Sequence, residues 1–465
     1  IASSAVRPEG VFKKKGELEI DGESDRFILG VDLPGSAVSF QHFNAHTLFR
    51  LGLPGDEVGP MISQFFLRPV AFGTQRIDQR QRPYKTGVDY LTKFDDWLAA
   101  QNSGRDAAGQ SYGQSNEDSD ARFESFERYI ATMRDLARFV NKDALHQAYF
   151  NAALILLSGR AKWALGNPYH DLGNGVVQGT LPDREAGFGV LGGPHILALV
   201  SEVATRALKV VWRQKWQEHL RLRPEAYGGL LHVQTVGPEG KPPRAYGLPG
   251  WLADTTAAKR ISAKPDNSLL LPMAFTAGSP THPAYGAGHA TVAGACVTIL
   301  KAYFLTFTTD AKGVDTPIKF STLDERDQPF GKCGKIKSYC ARAVTPKIAA
   351  KTAKIEKLDN REALSDEIAN QLTIEGELNK LAQNVAMGRS MGGVHWRTDN
   401  TRSLMLGEAL AAEILAGITT DANEKPSFTF RTFSRRADGE PKKVHIESGR
   451  IYVDGVEKAI PVSRL

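Results

Sequence analysis

The stretch HATVAGACVTILKAYFLTF, His289 to Phe307, is apolar on every side and carries one charge, Lys301. A helix built from it has no face to offer water, so other helices or lipid must surround it. Its lysine and its density of small residues fit the central helix of a packed bundle better than a membrane span, which needs about 18–20 uncharged apolar residues. No other stretch reads closer to a span, so none is expected.

Further helices must then cover this one, and apolar spacing locates them. ARFESFERYIATMRDLARFV (121–140) and ALHQAYFNAALILLSG (144–159) predict two helices broken near Asn141–Asp143. HILALVSEVATRALKVVWRQKWQEHLRL (195–222) predicts one long helix stopped by Pro224. LTIEGELNKLAQNVAMGRSMGG and NTRSLMLGEALAAEILAGI predict two more. The tail, with FTFRTF and KKVHIESGRIYVDGV, alternates as a β-hairpin does. The expected fold class is mainly α, a helical bundle with a small C-terminal β-hairpin. Its expected divisions are a turn-rich and helical region over 1–120, a bundle over 121–420 and a tail over 421–465. The bundle carries a polar insertion over 306–365, where Lys332–Lys357 has eight Lys/Arg against one Glu.

The 58 Lys and Arg exceed the 52 Asp and Glu by six, which draws in anions. No zinc finger or basic–aromatic stripe accompanies the excess, so nucleic acid is excluded. Of three cysteines, Cys296 falls in the central helix as plain core, while Cys333 and Cys340 could pair only in an oxidising compartment. The loop 166–194 has no ligand spacing that supports calcium. The chain opens at Ile1 without a signal-like run, as expected of a trimmed chain whose targeting segment is already removed; a periplasmic or secreted location is the expectation.

Cations and histidines gather at three places. SPTHPAYGAGHA puts His282 and His289 either side of a glycine-rich loop that opens the central helix. A helix N-terminus offers unpaired N–H groups and partial positive charge, and Gly288 allows close approach, which is how an anion is held. KWQEHLRLRP carries Lys215 and Arg223, expected on one helix, and GRSMGGVHWRTDN carries Arg389 and His395. Two arginines and a lysine suit a tetrahedral oxyanion. One histidine can bond the central atom while another moves protons. Asp399, four residues after His395, can hold the far ring nitrogen.

In that order and spacing, Lys215–x7–Arg223–Pro224, Gly288–His289 and Arg389–Ser390–x4–His395–x3–Asp399 resemble the vanadium-dependent haloperoxidases. These share a helical fold and an anion pocket with the type 2 phosphatidic acid phosphatases. EVATRALK, LRPEAYGGL, LLPMAF and GELNKLAQNVAMGR look most like the bromoperoxidase branch of algae and bacteria. The resemblance implies vanadate as cofactor, with His395 as its ligand and Lys215, Arg223, Arg389 and the Gly288 N–H around its oxygens. It makes His289 the acid–base group and sets His282 beside the cofactor, where chloroperoxidases tend to have an aromatic residue. Hydrogen peroxide, bromide or iodide and an organic halogen acceptor are the implied partners, and a homo-oligomer the implied assembly. One departure is Ala287, where many members place Ser before Gly–His. An acid phosphatase working through a phosphohistidine, and a non-catalytic oxyanion-binding protein, are the alternative readings.

Overall fold

The computed structural model describes residues 49–106, 109, 122–170, 187–323 and 358–458 apart from 239, 265, 267 and 437, with the short strand pieces at 12–13, 17–18 and 344–346. Cys333, Cys340, most of the insertion and the centre of the loop 166–194 lie outside the described residues.

The helices that build the site are α1 (Phe94–Ser103), α2 (Met133–Lys142), α3 (Gln147–Ser158), α4 (Gly193–Arg213), α5 (Pro224–Thr235), α6 (Thr256–Ser262), α7 (Gly288–Tyr303), α8 (Ile374–Met391) and α9 (Arg397–Asp421). The apolar stretch forms α7, buried from Ala290 to Tyr303 and enclosed by α4, α8 and α9. Its small residues set how near α9 comes. A Cβ on Gly294 would stand 2.1 Å from the Leu404 carbonyl oxygen, and one on Gly407 would stand 2.0 Å from that of Thr291. Cys296 is fully buried here, as core. Around this axis α4 buries Ile196, Leu199, Val200, Val203, Ala204, Ala207 and Val211, the stripe of an amphipathic helix. Leu51, Phe65 and Val70, near the start of the described chain, pack in the same core as Phe428 and Phe430, near its end.

Five expectations need correction. Pro224 opens α5 as its first residue instead of stopping the preceding helix, a position where its missing N–H costs nothing. That preceding helix changes at Arg213 into a π-turn, Gln214–His219, closed by Leu220 at φ 45°. Lys215 and Arg223 therefore lie on different elements. Before α2, residues 122–132 run extended, bridging Phe123 to Tyr84 and Arg128 to Gln81, because the capping box of Thr132 and Asp135 fixes the helix start later than the apolar spacing suggests. The tail is a four-stranded antiparallel sheet, β1 (Ser427–Arg435), β2 (Pro441–Glu447), β3 (Arg450–Val453) and β4 (Val456–Lys458), in sequential order. It is held to the bundle by Phe428 stacked on Tyr303 and by buried Lys301, whose Nζ donates to the Arg431 carbonyl at 2.7 Å. Finally, the helix with the length and composition of a membrane span is α9, not α7, and over half of that window is buried inside the protein.

The α7–α9 contact yields a stability prediction. Gly407→Ala forces a methyl group against α7 backbone, and overpacking of this kind costs about 1–3 kcal/mol. The denaturant midpoint should fall with no change in the slope of the transition; an unmoved midpoint would show that the two helices separate freely.

Candidate active site

Lys215, the second residue of the π-turn, is 1% exposed, and its Nζ donates to the carbonyls of Pro283 at 2.7 Å and Ala284 at 3.3 Å. Arg223 precedes α5 in extended conformation and turns inward. Its Nε donates to the His282 carbonyl at 2.9 Å and its Nη1 to that of Val394 at 2.8 Å. The same Nη1 lies 3.0 Å from His395 Nε2, and Nη2 lies 3.0 Å from His282 Nδ1. Arg389, buried in the last turn of α8, donates to the Val140 carbonyl at 2.8 Å. His395 follows the Gly392–Gly393 break and its Nδ1 is 3.1 Å from Asp399 Oδ2. Asp399, fully buried in the first turn of α9, accepts also from the Trp396 N–H at 2.9 Å.

With a carboxylate on Nδ1 and an arginine N–H on Nε2, His395 carries its proton on Nδ1 and presents a lone pair at Nε2. The opening of α7 completes the wall. Ala287 is the N-cap residue and makes no side-chain cap, which leaves the first-turn N–H groups of Gly288 and His289 to other acceptors. The N–H of Ala287 itself goes to Ser403 Oγ at 2.8 Å. His289 is bonded through Nε2 to Asp143 Oδ1 at 3.0 Å. At the rim, half-exposed Trp212 lies 4.9 Å from the His282 ring.

The electrostatics are those of a pocket short of negative charge. Burial, then the neighbouring Arg223, push Lys215 down to about 7. Burial lowers Arg223 to about 10 and Arg389 to about 9. His282 is pushed down to about 3 by burial and then by Arg223 and Lys215, and His395 falls well below its ordinary range for the same reasons. Asp399 is raised to about 6 by burial, opposed by Arg221.

Lys215, Arg223, His282 and His395 are thus brought into one chain of contacts, with Asp399 behind the histidine. Arg389 and His289 reach the same region, their charges acting on His395. Sequence reasoning missed Asp143, Arg221 and Trp212. Asp143 marks the break between α2 and α3, the one signal that it faces something. Arg221 was hidden by running the long helix through to residue 222.

Buried cations and an unprotonated imidazole nitrogen thus stand together near a helix N-terminus in a protein of the helical-bundle class. A family model described as VCPO second helical-bundle domain matches residues 195–423. The chain is 36% identical over 410 residues to a vanadium-dependent bromoperoxidase of Corallina pilulifera, covering 79% of this chain and 58% of that one. It is 33% identical over 417 residues to one of Ascophyllum nodosum, covering 88% and 62%. The homohexameric structure of a second vanadate-dependent bromoperoxidase of Ascophyllum nodosum matches with a TM-score of 0.60 and 27% identity, over 89% of this chain and 63% of that one. The chain belongs to the vanadium-dependent haloperoxidases, and it spans about three-fifths of the length of these relatives.

The depressed lysine gives a pH prediction. A group whose pKa is lowered from 10.5 to about 7 is mostly neutral in the folded protein between those values, and an anion beside it draws the proton back. Binding of sulfate, whose own charge is constant there, should take up close to one proton at about pH 8.5 and few at about pH 6. Its affinity should therefore weaken as pH rises above about 7. Calorimetry in buffers of different ionisation enthalpy measures the uptake. A Lys215→Met protein with the same uptake would assign it elsewhere.

Proposed function

We propose that this chain is a vanadate-dependent bromoperoxidase, oxidising bromide and iodide with hydrogen peroxide to hypohalous acid that halogenates organic acceptors. The observation that carries the reading is the burial of Lys215, Arg223 and Arg389 around His395 Nε2, with the nearest carboxylate, Asp399, placed behind the ring. Like charges buried together favour an anion between them, and the lone pair on Nε2 can serve as a ligand to its central atom. These residues fit vanadate. Bound there, vanadate supplies a Lewis acid that activates hydrogen peroxide towards halide without changing oxidation state.

The remaining chemistry belongs to side chains. Lys215, Arg223, Arg389 and the Gly288 N–H neutralise and orient the oxyanion, and Lys215 also draws electron density from the peroxide oxygens. His289, anchored through Nε2 on Asp143, keeps Nδ1 as the nitrogen to accept the proton of incoming peroxide. His282, bonded to Arg223 and packed against Trp212, lines the approach and favours bromide over chloride. We further infer self-assembly, supported by the homohexamer of the solved relative and by exposed Trp216, Leu220 and Leu222 beside the site.

One assay tests these assignments. Protein stripped of anions and loaded with vanadate should brominate a phenolic dye when given peroxide and bromide, and phosphate should compete with loading. His395→Ala should lose the activity altogether. His289→Ala should still bind vanadate while turnover falls by about 10²–10⁴-fold. Hydrolysis of a phosphate ester without bromination would instead support the phosphatase, and vanadate binding with neither reaction the binding protein.

A further inference from the structure

We propose that Arg221 is a positioning residue of this site, fixing the tautomer and orientation of His395 through Asp399. The proposal rests on the reading of the pocket as a vanadate site.

Arg221 lies in the non-helical segment between the π-turn and α5, and its contacts join three separate walls of the pocket. Its Nη1 donates to Asp399 Oδ1 at 2.9 Å and to Thr398 Oγ1 at 3.0 Å. Its carbonyl accepts from the Ala284 N–H at 2.8 Å, fixing it to the loop whose carbonyls hold Lys215. Its guanidinium lies 5.5 Å from the Trp396 ring centre and 6.0 Å from that of Tyr285, which restrains its plane. Arg221 and Arg223, two residues apart, thereby reach the two ends of one unit. Arg223 meets His395 at Nε2, and Arg221 meets the carboxylate that holds Nδ1.

The two oxygens of Asp399 have different partners. Oδ2 accepts from His395 and from the Trp396 N–H, and Oδ1 accepts from Arg221. A buried carboxylate needs a counter-charge. Lys215 and Arg223 also act on Asp399, but an oxyanion in the pocket claims their charge, and Arg221 then remains. It keeps Asp399 an acceptor, which keeps the imidazole proton on Nδ1 and the lone pair on the ligand's side. Without it, Asp399 loses the partner on Oδ1 and can turn, and the ring is no longer held with Nε2 as its unprotonated nitrogen.

Three variants test this: Arg221→Gln, Arg221→Lys and Arg221→Gly with added guanidinium, which can enter because the side chain is 37% exposed. Vanadate affinity is measured by equilibrium dialysis of the anion-free protein, and the His395 tautomer by ¹⁵N resonance of histidine-labelled protein without vanadate. Arg221→Gln should weaken vanadate binding by about tenfold or more, as loss of a partner behind a metal-binding histidine does, and should mix the two tautomers. Lysine should restore part of the affinity and guanidinium should restore it to the glycine variant, with little change in melting temperature. Unchanged affinity and tautomer in Arg221→Gln would overturn the proposal. So would a loss that follows a fall in melting temperature and that neither lysine nor guanidinium repairs. A parent protein that binds no vanadate sinks the pocket reading instead, while the tautomer measurement still judges the Arg221 contact.

Discussion

Like charges buried together are the constraint on which the rest of this protein turns. Lys215, Arg223 and Arg389 come from three elements and lose most of their water in one place. Burial drives all three pKa values down, and the neighbouring Arg223 lowers Lys215 further. The carbonyls of Pro283 and Ala284 hold the lysine, those of His282 and Val394 hold Arg223 together with the ring nitrogens of His395 and His282, and that of Val140 accepts from Arg389. Dipoles of this kind orient a cation without neutralising it, and the Asp399 carboxylate acts on Lys215 and Arg223 from behind the histidine.

Such a cluster can persist only on a rigid frame, and α7 is its axis. Gly294 and Gly407 bring α7 and α9 to backbone contact, so the histidine at the mouth of one helix and the aspartate at the start of the other are fixed relative to each other. Further out, the C-terminal sheet clamps the far end of α7 through Lys301 and Tyr303. The polar pocket sits at one end of a helix whose other end is locked.

Much of this was legible in the residues. An apolar helix without a wet face must be central, and α7 is. Glycine and histidine at its mouth, with Arg389, His395 and Asp399 on either side of a Gly–Gly break, named most of the pocket. What stayed hidden depends on backbone events with little residue signature. The π-turn at Gln214–His219 looks like ordinary helix by apolar spacing, so Lys215 and Arg223 seemed to share one element and nothing singled out Arg221. Asp143 meets His289 across 146 residues, a pairing that only the packing of α2 against its neighbours creates. The tail's extra strands were missed because β3 and β4 are only four and three residues long.

The hydrogen bond from Arg223 to His395 Nε2 also bears on how the pocket fills and empties. A buried lone pair with no partner is costly, and a site that exposed one on losing its ligand would relax or take up a stray proton. Here the arginine already sits on that nitrogen. On the proposed reading, loading would be an exchange of partners, the guanidinium passing from the ring to the anion, and His395 would keep the same tautomer before and after.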